Sequence, residues 1–210
     1  MLVDRIWSDD FVVFDVETTG LDPLTDRIVQ FAAIRFVGGD EVDGFDSFIN
    51  PGVELPEGIN AVTPADLVGA PPFAEVAGRI LAILGGRAHP MAYNAPFDVA
   101  FIDREFDRID APEHPTYIQR VIDPLVWVRH VDRYVKGKGR HKLTTTAERW
   151  GVDVGGRAHD ARTDCRLAAG LAFAMIHSVP GDVVELMKWQ GAARVDQDRE
   201  FEEWKARQGN

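Results

Sequence analysis

The sequence has almost no cysteine: Cys165 is the single one among 210 residues. One thiol cannot close an internal disulfide, and it cannot start a zinc site built from several cysteines. Disulfide-stapled domains and cysteine-based zinc modules are therefore excluded. The composition fits a reducing compartment, and we expect the protein in the cytoplasm.

Long apolar segments are also missing. Nowhere do about 18 apolar residues run together, the length that a membrane-spanning helix needs. The N-terminal segment MLVDRIWSDD lacks the basic, apolar and small-residue regions of a signal peptide. We therefore expect no association with a membrane and no export.

Positive charge is scarce, with 23 lysines and arginines against 34 acidic residues and a net charge of -11. A protein that coats duplex nucleic acid through a broad basic face depends on lysine and arginine to neutralise phosphates, so this class is disfavoured. A nuclease that holds only the end of a strand through metal ions remains compatible, because such a site needs acids.

Apolar residues are abundant, at 45% of the chain with 12 phenylalanines, which is enough for a sizeable core. Runs rich in β-branched residues at 11–16, 27–37 and 41–50 predict three antiparallel strands, with a tight turn at Gly38 and Gly39. A short strand at 90–95 and a strand that runs into a helix at 117–130 follow. Helices are predicted over 71–86, 97–109, 141–151, 159–177 and 183–207. This order of elements predicts an α/β fold, a mixed sheet with helices on its faces.

Two carboxylates end the first predicted strand, in the segment FVVFDVETTG. Side chains alternate between the faces of a strand, so Asp15 and Glu17 point the same way. Like charges this close repel and raise a pKa unless a multivalent cation lies between them. A hard divalent cation explains the pair, and a solvated strand end with Glu17 capping a turn explains it equally well.

Three further residues are candidates for the same site. Asp98 lies at a strand-to-helix junction, where open α/β folds place ligands, although an ordinary first-turn helix acid has this pattern too. His159 and Asp164 stand five residues apart at the opening of a long helix. If His159 lies in the preceding loop, it can turn toward a metal site while Asp164 stays on the helix. A surface histidine and a solvated acid are the plain alternatives.

The segments FDVETTGLDP, YNAPFDVAFI and HDARTDCRLA occur in the order and approximate spacing of three exonuclease motifs. With them the chain resembles the DnaQ-like, DEDDh-type family of 3'-to-5' exonucleases, typified by the epsilon proofreading subunit of bacterial DNA polymerase III. The similarity covers about residues 8 to 178. Two positions depart from the family pattern: Tyr93 stands where histidine is common, and Asp160 stands where arginine is frequent.

The resemblance implies a ribonuclease H-like fold, with a five-stranded mixed sheet (three antiparallel strands plus parallel strands) flanked by helices. It implies two divalent cations, Mg²⁺ or Mn²⁺, bound by Asp15, Glu17, Asp98 and Asp164, with His159 as the general base. In this assignment Asp15 bridges the ions, Glu17 and Asp164 hold the ion that carries the attacking water, and Asp98 supports the second ion. An unperturbed imidazole pKa of about 6.5 suits a base near neutral pH.

For the substrate, the resemblance implies contacts from the loop after the first strand. Thr18 and Thr19 would contact the terminal nucleotide, and Leu21 would wedge against its base. Phe97 is a candidate for apolar or stacking contact with a base, and core packing explains it as well. Asn94 either contacts the nucleotide or supports the turn in which it lies.

Two segments lie outside these motifs. Residues 129–142, RHVDRYVKGKGRHK, hold six lysines and arginines against one aspartate, which predicts either a loop that guides phosphates or a solvated loop. The final helix, with Trp189, Phe201 and Trp204 as anchors, either binds a polymerase or a second subunit or folds back onto the core. We expect an exonuclease domain at residues 1–179 and a C-terminal helical extension at 180–210.

Three functions are consistent with the sequence. The first is a 3'-to-5' exonuclease that releases nucleoside 5'-monophosphates from single-stranded or frayed DNA 3' ends in proofreading or repair, standalone or beside a DNA polymerase subunit. The second is an exoribonuclease of the same family, because no residue clearly reads the 2'-hydroxyl. The third is a non-catalytic nucleic-acid or polymerase-binding module. The presence of all five predicted catalytic residues argues against this module, because a binding protein needs none of them.

Overall fold

A computed structural model describes residues 10–56, 62–113, 115, 120–153, 155 and 160–208 of the chain. Within these residues the strands are β1 (Asp10–Thr18), β2 (Ile28–Val37), β3 (Asp40–Phe48) and β4 (His89–Met91). The helices are α1 (Phe73–Leu84), α2 (Ala95–Arg108), α3 (Pro124–Val131), α4 (Leu143–Arg149), α5 (Ala161–Ala174) and α6 (Val183–Gln208). A single 3-10 turn at Ile176–Ser178 precedes α6 within the described residues.

The strands form one sheet in the order β3-β2-β1-β4. Strands β1, β2 and β3 are antiparallel neighbours, and β4 runs parallel to β1. Gly38 and Gly39 make the predicted turn between β2 and β3, with φ of 61° and 93° that favours glycine. The α/β class, the mixed sheet and the three antiparallel strands are confirmed.

The expectation of five strands is wrong for the described residues, where the sheet has four. At the place of the fifth strand, Met91 and Ile122 make an isolated parallel bridge. The Ile122 N–H donates to the Pro90 carbonyl at 2.8 Å, and its own carbonyl accepts from Ala92 at 3.0 Å. Pro124, two residues later, has no N–H and begins α3, so the ladder ends there.

The sheet separates two apolar cores. On one face, Phe11 and Val13 pack in a cluster with residues of α3, α5 and α6. On the other face, Val12 and Phe14 pack with residues of α1 and α2. Because side chains alternate along β1, its odd-numbered residues face the α5 layer.

Helix α6 folds back onto α3 through its first half. Gln190 is buried, and its Oε1 accepts from the Asp123 N–H at 2.8 Å and from Trp127 Nε1 at 3.1 Å. The Arg194 guanidinium pairs with the Asp123 carboxylate at 2.6 Å. The Trp189 ring packs edge-on against His130, with ring centroids 5.1 Å apart. The beginning of this helix is therefore part of the folded body.

Within the described part of the chain, none of the helices combines the length and the hydropathy that crossing a bilayer requires.

Candidate active site

The acids of the first motif lie at the end of β1, in the row of side chains that faces α5. Asp15 and Glu17 continue the alternation of Phe11 and Val13, so both carboxylates leave the strand on one face. Asp164 of α5 meets them there. One carboxylate oxygen from each of the three acids lies within 4.8 Å of the other two. The structure thus brings together three of the four predicted metal ligands.

Helix α5 is held in place by a cap that reaches across to β2. Asp160 is the N-cap, and its Oδ2 accepts from the N–H of Thr163 at 3.1 Å and from its hydroxyl at 2.9 Å. Gln30 Nε2 donates to Asp160 Oδ1 at 2.9 Å, and Gln30 Oε1 accepts from the first helical N–H at 3.3 Å. Gln30 is also the cross-strand partner of Glu17. One glutamine therefore ties the start of the Asp164 helix to the strand pair that carries the other acids.

Asp98 comes from the opposite helical layer, in the first turn of α2. Its carboxylate is buried, and Oδ1 accepts from the N–H of Val16, the residue between the two acids of β1, at 3.1 Å. Asn94 precedes the helix in the left-handed region, with φ 68° and ψ 43°, and its N–H donates to Asp123 Oδ1 at 3.0 Å. This turn brings Asp98, the fourth predicted ligand, against the end of β1.

The pKa values of Asp15, Glu17 and Asp98 are all raised, first by burial and then by neighbouring carboxylates. Burial raises the pKa of Asp15 well above its usual value, and the carboxylates of Asp98, Asp164 and Glu17 raise it further. Burial raises the pKa of Glu17 to about 8, with contributions from Asp164 and Asp160. Burial also raises the pKa of Asp98, against the lowering effect of its backbone hydrogen bonds. The protein has concentrated negative charge here beyond what its own groups compensate.

The clustered donors fit a hard divalent cation. Asp15, Glu17 and Asp164 all offer carboxylate oxygens, the ligands that Mg²⁺ and Mn²⁺ prefer. A cation among them would offset the repulsion between their carboxylates. This acidic group can therefore bind a metal ion.

The loop after β1 is fixed by its own hydrogen bonds. The Thr18 hydroxyl donates to the carbonyl two residues further on at 2.6 Å. The Thr19 hydroxyl accepts from the Arg27 N–H at 3.0 Å and donates to Asp26 Oδ1 at 3.3 Å. Both threonines are buried, whereas Leu21 at the tip is 82% exposed. The threonines shape the turn, and Leu21 is the side chain that this turn displays.

A buried ion pair anchors the far end of this loop to α2. Glu105 is 1% exposed, and its two carboxylate oxygens accept from Nε and Nη2 of Arg27 at 2.8 and 2.9 Å. Arg108 pairs with the same carboxylate at 3.1 Å and donates to two carbonyl groups of the loop. Two-point contacts of this kind fix geometry as well as charge. These contacts fix the position of the loop that displays Leu21 relative to the helix that carries Asp98.

The other predicted substrate residues lie around the start of α2. The Asn94 side chain is exposed. Phe97 is half-buried, and its ring lies 4.9 Å from that of Phe101, so it packs on the edge of the core. The Tyr93 hydroxyl donates to the His141 carbonyl at 2.6 Å, and burial raises its pKa to about 12. Contact of Asn94 and Phe97 with a nucleotide stays a prediction.

His159, the predicted general base, lies outside the described residues. Sequence reasoning also missed three residues that support the site, namely Gln30, Glu105 and Asp123. Asp123 had a readable signal, because an aspartate directly before a proline is a typical helix N-cap. Gln30 and Glu105 had none, because their partners Asp160 and Arg27 are 130 and 78 residues away in the chain.

The residues of this site fall within a match to known proteins. The RNase_T family model, described as Exonuclease, matches residues 12–172, which include Asp15, Glu17, Asp98 and Asp164. The chain belongs to this exonuclease family. The resemblance to DnaQ-like exonucleases is thereby confirmed.

This chain is 35% identical over 172 residues to the PolC-type DNA polymerase III of Streptococcus thermophilus. This match takes in 80% of the chain and 11% of the polymerase, so the chain spans about a tenth of the length of the curated relatives it matches. E. coli exonuclease I in complex with a dT13 oligonucleotide has a TM-score of 0.68 at 21% identity, over 80% of this chain and 41% of that chain. A 3'-exonuclease that recognises the 3' end of a histone mRNA stem-loop has a TM-score of 0.67 at 17% identity, over 80% of this chain and 64% of that chain. These two structures show a shared fold.

Proposed function

We propose that the chain is a metal-dependent 3'-to-5' exonuclease that releases nucleoside 5'-monophosphates from the 3' end of single-stranded or frayed DNA. The observation that carries the proposal is the convergence of Asp15, Glu17 and Asp164 within 4.8 Å, beside the buried Asp98. Family membership supplies the reaction class. A strand end held through a metal also agrees with a chain whose net charge is -11.

In this proposal Asp15, Glu17, Asp98 and Asp164 hold two divalent cations, Mg²⁺ or Mn²⁺. Such ions, when bound, activate a water and stabilise the leaving 3'-oxygen in an in-line displacement at phosphorus. His159 accepts the proton of the attacking water, a role that suits an imidazole with a near-neutral pKa. The hydrogen bond from the Val16 N–H keeps the Asp98 carboxylate directed at the end of β1.

The loop after β1 would receive the 3' terminus. Leu21, at 82% exposed, would wedge against the terminal base, while Thr18 and Thr19 hold the turn and present its backbone. The exposed part of Phe97 and the Asn94 side chain would contact the same nucleotide. This arrangement makes the end of the strand, rather than its middle, the recognised feature.

DNA is the first choice of substrate. The relative at 35% identity is a DNA polymerase by name, and the exonuclease I structure holds a DNA oligonucleotide. We propose proofreading or repair as the setting, in the cytoplasm, with a DNA polymerase subunit as partner. The proposed division is an exonuclease domain at 1–179 and a C-terminal helical extension at 180–210. An exoribonuclease is the second candidate, favoured by the fold shared with the histone mRNA exonuclease.

The test is hydrolysis of matched DNA and RNA oligonucleotides, each labelled at the 3' or the 5' end, in Mg²⁺ or Mn²⁺. We expect stepwise loss from the 3' end of DNA, abolished by EDTA, by Asp15→Asn and by His159→Ala. Glu75→Gln, which changes an exposed acid in the first turn of α1, is the matched control and should retain full activity.

Two results would contradict the proposal. Degradation from the 5' end would exclude the direction, and full activity of the His159→Ala chain would exclude the histidine base. Faster removal of RNA than of DNA ends would instead select the exoribonuclease.

A further inference from the structure

A second surface has the opposite charge to the candidate active site. A groove of about 890 Å³ lies between the loop at 132–142 and the last turns of α6. Only two acids, Asp198 and Glu200, stand among its lining residues. The cations that line it are Arg129, Arg133, Lys138, Arg140 and Lys142. In a chain with a net charge of -11, this is a local excess of positive charge that suits a polyanion.

The helix side of the groove carries an aromatic platform. Phe201 and Trp204 are 52% and 51% exposed, and their rings stack with centroids 5.9 Å apart and an angle of 12° between planes. The Lys205 ammonium lies 4.4 Å from the centre of the Phe201 ring. Stacked, exposed rings beside cations are the combination on which successive bases of a single strand stack.

Two side chains that line the groove each carry a buried polar atom without a hydrogen-bond partner within the described part of the chain. They are Nε2 of His141 and Oε1 of Gln197, and both are buried. Gln197 is held by its other side-chain atom, because Nε2 donates to the Val126 carbonyl at 2.9 Å. Buried polar atoms normally have partners. Both atoms are shielded from solvent, so they do not count among the groups that a ligand in the groove would contact.

One hydrogen bond links the groove to the chain segment that leads into the candidate active site. The Tyr93 hydroxyl donates to the His141 carbonyl at 2.6 Å, which ties the basic loop to the residue before Asn94. Asn94 in turn precedes the helix that carries Asp98. This link is the structural basis for placing the groove on the path of a strand whose 3' end lies at the acids.

We propose that this groove binds the part of a single-stranded nucleic acid that lies 5' of the end being removed, with phosphates on the loop cations and bases stacked on Phe201 and Trp204. The proposal rests on the proposed exonuclease function, because the acids define which end of the strand lies at the site. It assigns the second half of α6 to the substrate, rather than to a protein partner.

The experiment measures binding without hydrolysis. Fluorescence anisotropy is recorded for the Asp15→Asn chain with a 5'-labelled dinucleotide and with oligonucleotides of about 15 nucleotides, as DNA and as RNA. We expect the longer strand to bind more tightly. Adding Phe201→Ala and Trp204→Ala should weaken its binding by about fivefold or more, since stacking contributes roughly 1 to 3 kcal/mol per base. Adding Lys138→Gln and Arg140→Gln should make the plot of log affinity against log salt less steep by about 1.4, because each lost phosphate contact on a single strand removes about 0.7 from the slope.

Matched controls lie on the same helix. Val195 is 65% exposed and Arg199 is 63% exposed, and neither lines the groove. Val195→Ala and Arg199→Gln should leave the affinity of the longer strand unchanged. The DNA and RNA arms show which strand the groove prefers.

The outcomes separate the two proposals. If the unchanged chain hydrolyses DNA but the groove variants bind the longer strand as the control variants do, the groove proposal is overturned and the exonuclease stands. If no hydrolysis occurs but the groove variants lose affinity for the longer strand, the exonuclease fails and the groove remains a nucleic-acid site, without its assignment to the part 5' of a removed end. Loss of binding to a polymerase subunit with unchanged affinity for nucleic acid would overturn the groove proposal in favour of a protein partner.

Discussion

Glu105 and Asp15 are both carboxylates largely withdrawn from water, yet their surroundings are opposite. Glu105 contacts Arg27 and Arg108, so its charge is compensated within the protein. Asp15 faces further carboxylates, and burial together with these neighbours raises its pKa. The difference indicates that the chain supplies its own cations where it needs rigidity. Where it concentrates acids without them, the acidic group is suited to a cation from solution.

The largest loss of stability is expected from breaking the compensated pair. Glu105→Gln leaves Arg27 and Arg108 without their carboxylate, and we expect the free energy of unfolding to fall by about 3 kcal/mol. For a chain of this length that corresponds to a melting temperature lower by roughly 10 °C. Asp107→Asn on the same helix removes an exposed partner of Arg104 and serves as the control. An equal loss in both variants would contradict the role of the buried pair.

Metal binding should have the next largest effect, and it should depend on pH. The pKa of Glu17 is about 8 in the folded chain against an ordinary 4.5, so between these values the folded state keeps a proton that the unfolded state releases. The metal-free chain therefore loses stability as pH rises across this window. A cation requires deprotonated ligands, so its stabilising effect grows across the same window.

Thermal unfolding with and without Mg²⁺ checks this expectation. At pH 8 and a concentration about 100 times the dissociation constant, Mg²⁺ should add about 2.7 kcal/mol, which corresponds to a rise of roughly 5 to 10 °C. The same concentration at pH 6 should give a clearly smaller rise. A rise of the same size at both values would show that the ion binds elsewhere.

A smaller gain in stability is expected when the uncompensated cluster loses a charge. In EDTA at pH 8, Asp15→Asn should raise the free energy of unfolding by about 1 to 2 kcal/mol, because repulsion and the burial of a charge are both relieved. The same variant should lose its response to Mg²⁺. Urea unfolding at pH 8 and pH 5 tests this, since the gain should shrink where the acids are protonated. Destabilisation at pH 8 would refute the account of the cluster.

The smallest effect is expected at Glu41, which has the same two-arginine arrangement as Glu105 but lies at the surface. It pairs with Arg162 at 2.8 Å and with Arg166 at 3.0 Å. Solvent screens such pairs, so Glu41→Gln should cost less than about 1 kcal/mol in chemical unfolding. If the free energy of unfolding fell as much as in Glu105→Gln, the pairing with two arginines, rather than the burial of the glutamate, would decide the strength of these contacts.

The sequence predicted what depends on local pattern. Runs rich in apolar, β-branched residues predicted β1 to β3, and the spacing of Asp15 and Glu17 predicted their common face. The motif order predicted that Asp164 and Asp98 would join them, because family resemblance carries long-range information that periodicity lacks. The metal-ligand roles of these acids and the substrate residues stay predictions.

What the sequence could not predict depends on contacts between distant segments. Among the residues that the structure describes, the strand expected before α3 is represented by one bridge, because Pro124 starts a helix where the ladder would continue. The partnership of Gln190 with Asp123 and Trp127 joins residues more than 60 positions apart and has no local signature. The groove beside Phe201 and Trp204 likewise exists only because α6 folds back onto α3.

The fold-back of α6 limits how the chain can be shortened. A chain ending at residue 179 would leave the Trp127 indole N–H without its acceptor and the buried Asp123 carboxylate without Arg194. Asp123 also receives the N–H of Asn94, at the turn that starts the Asp98 helix. Removing the C-terminal segment would thus weaken the support of the turn that carries Asp98 into the candidate active site. An affinity tag or a fused polymerase module therefore belongs after α6, where it leaves these contacts intact.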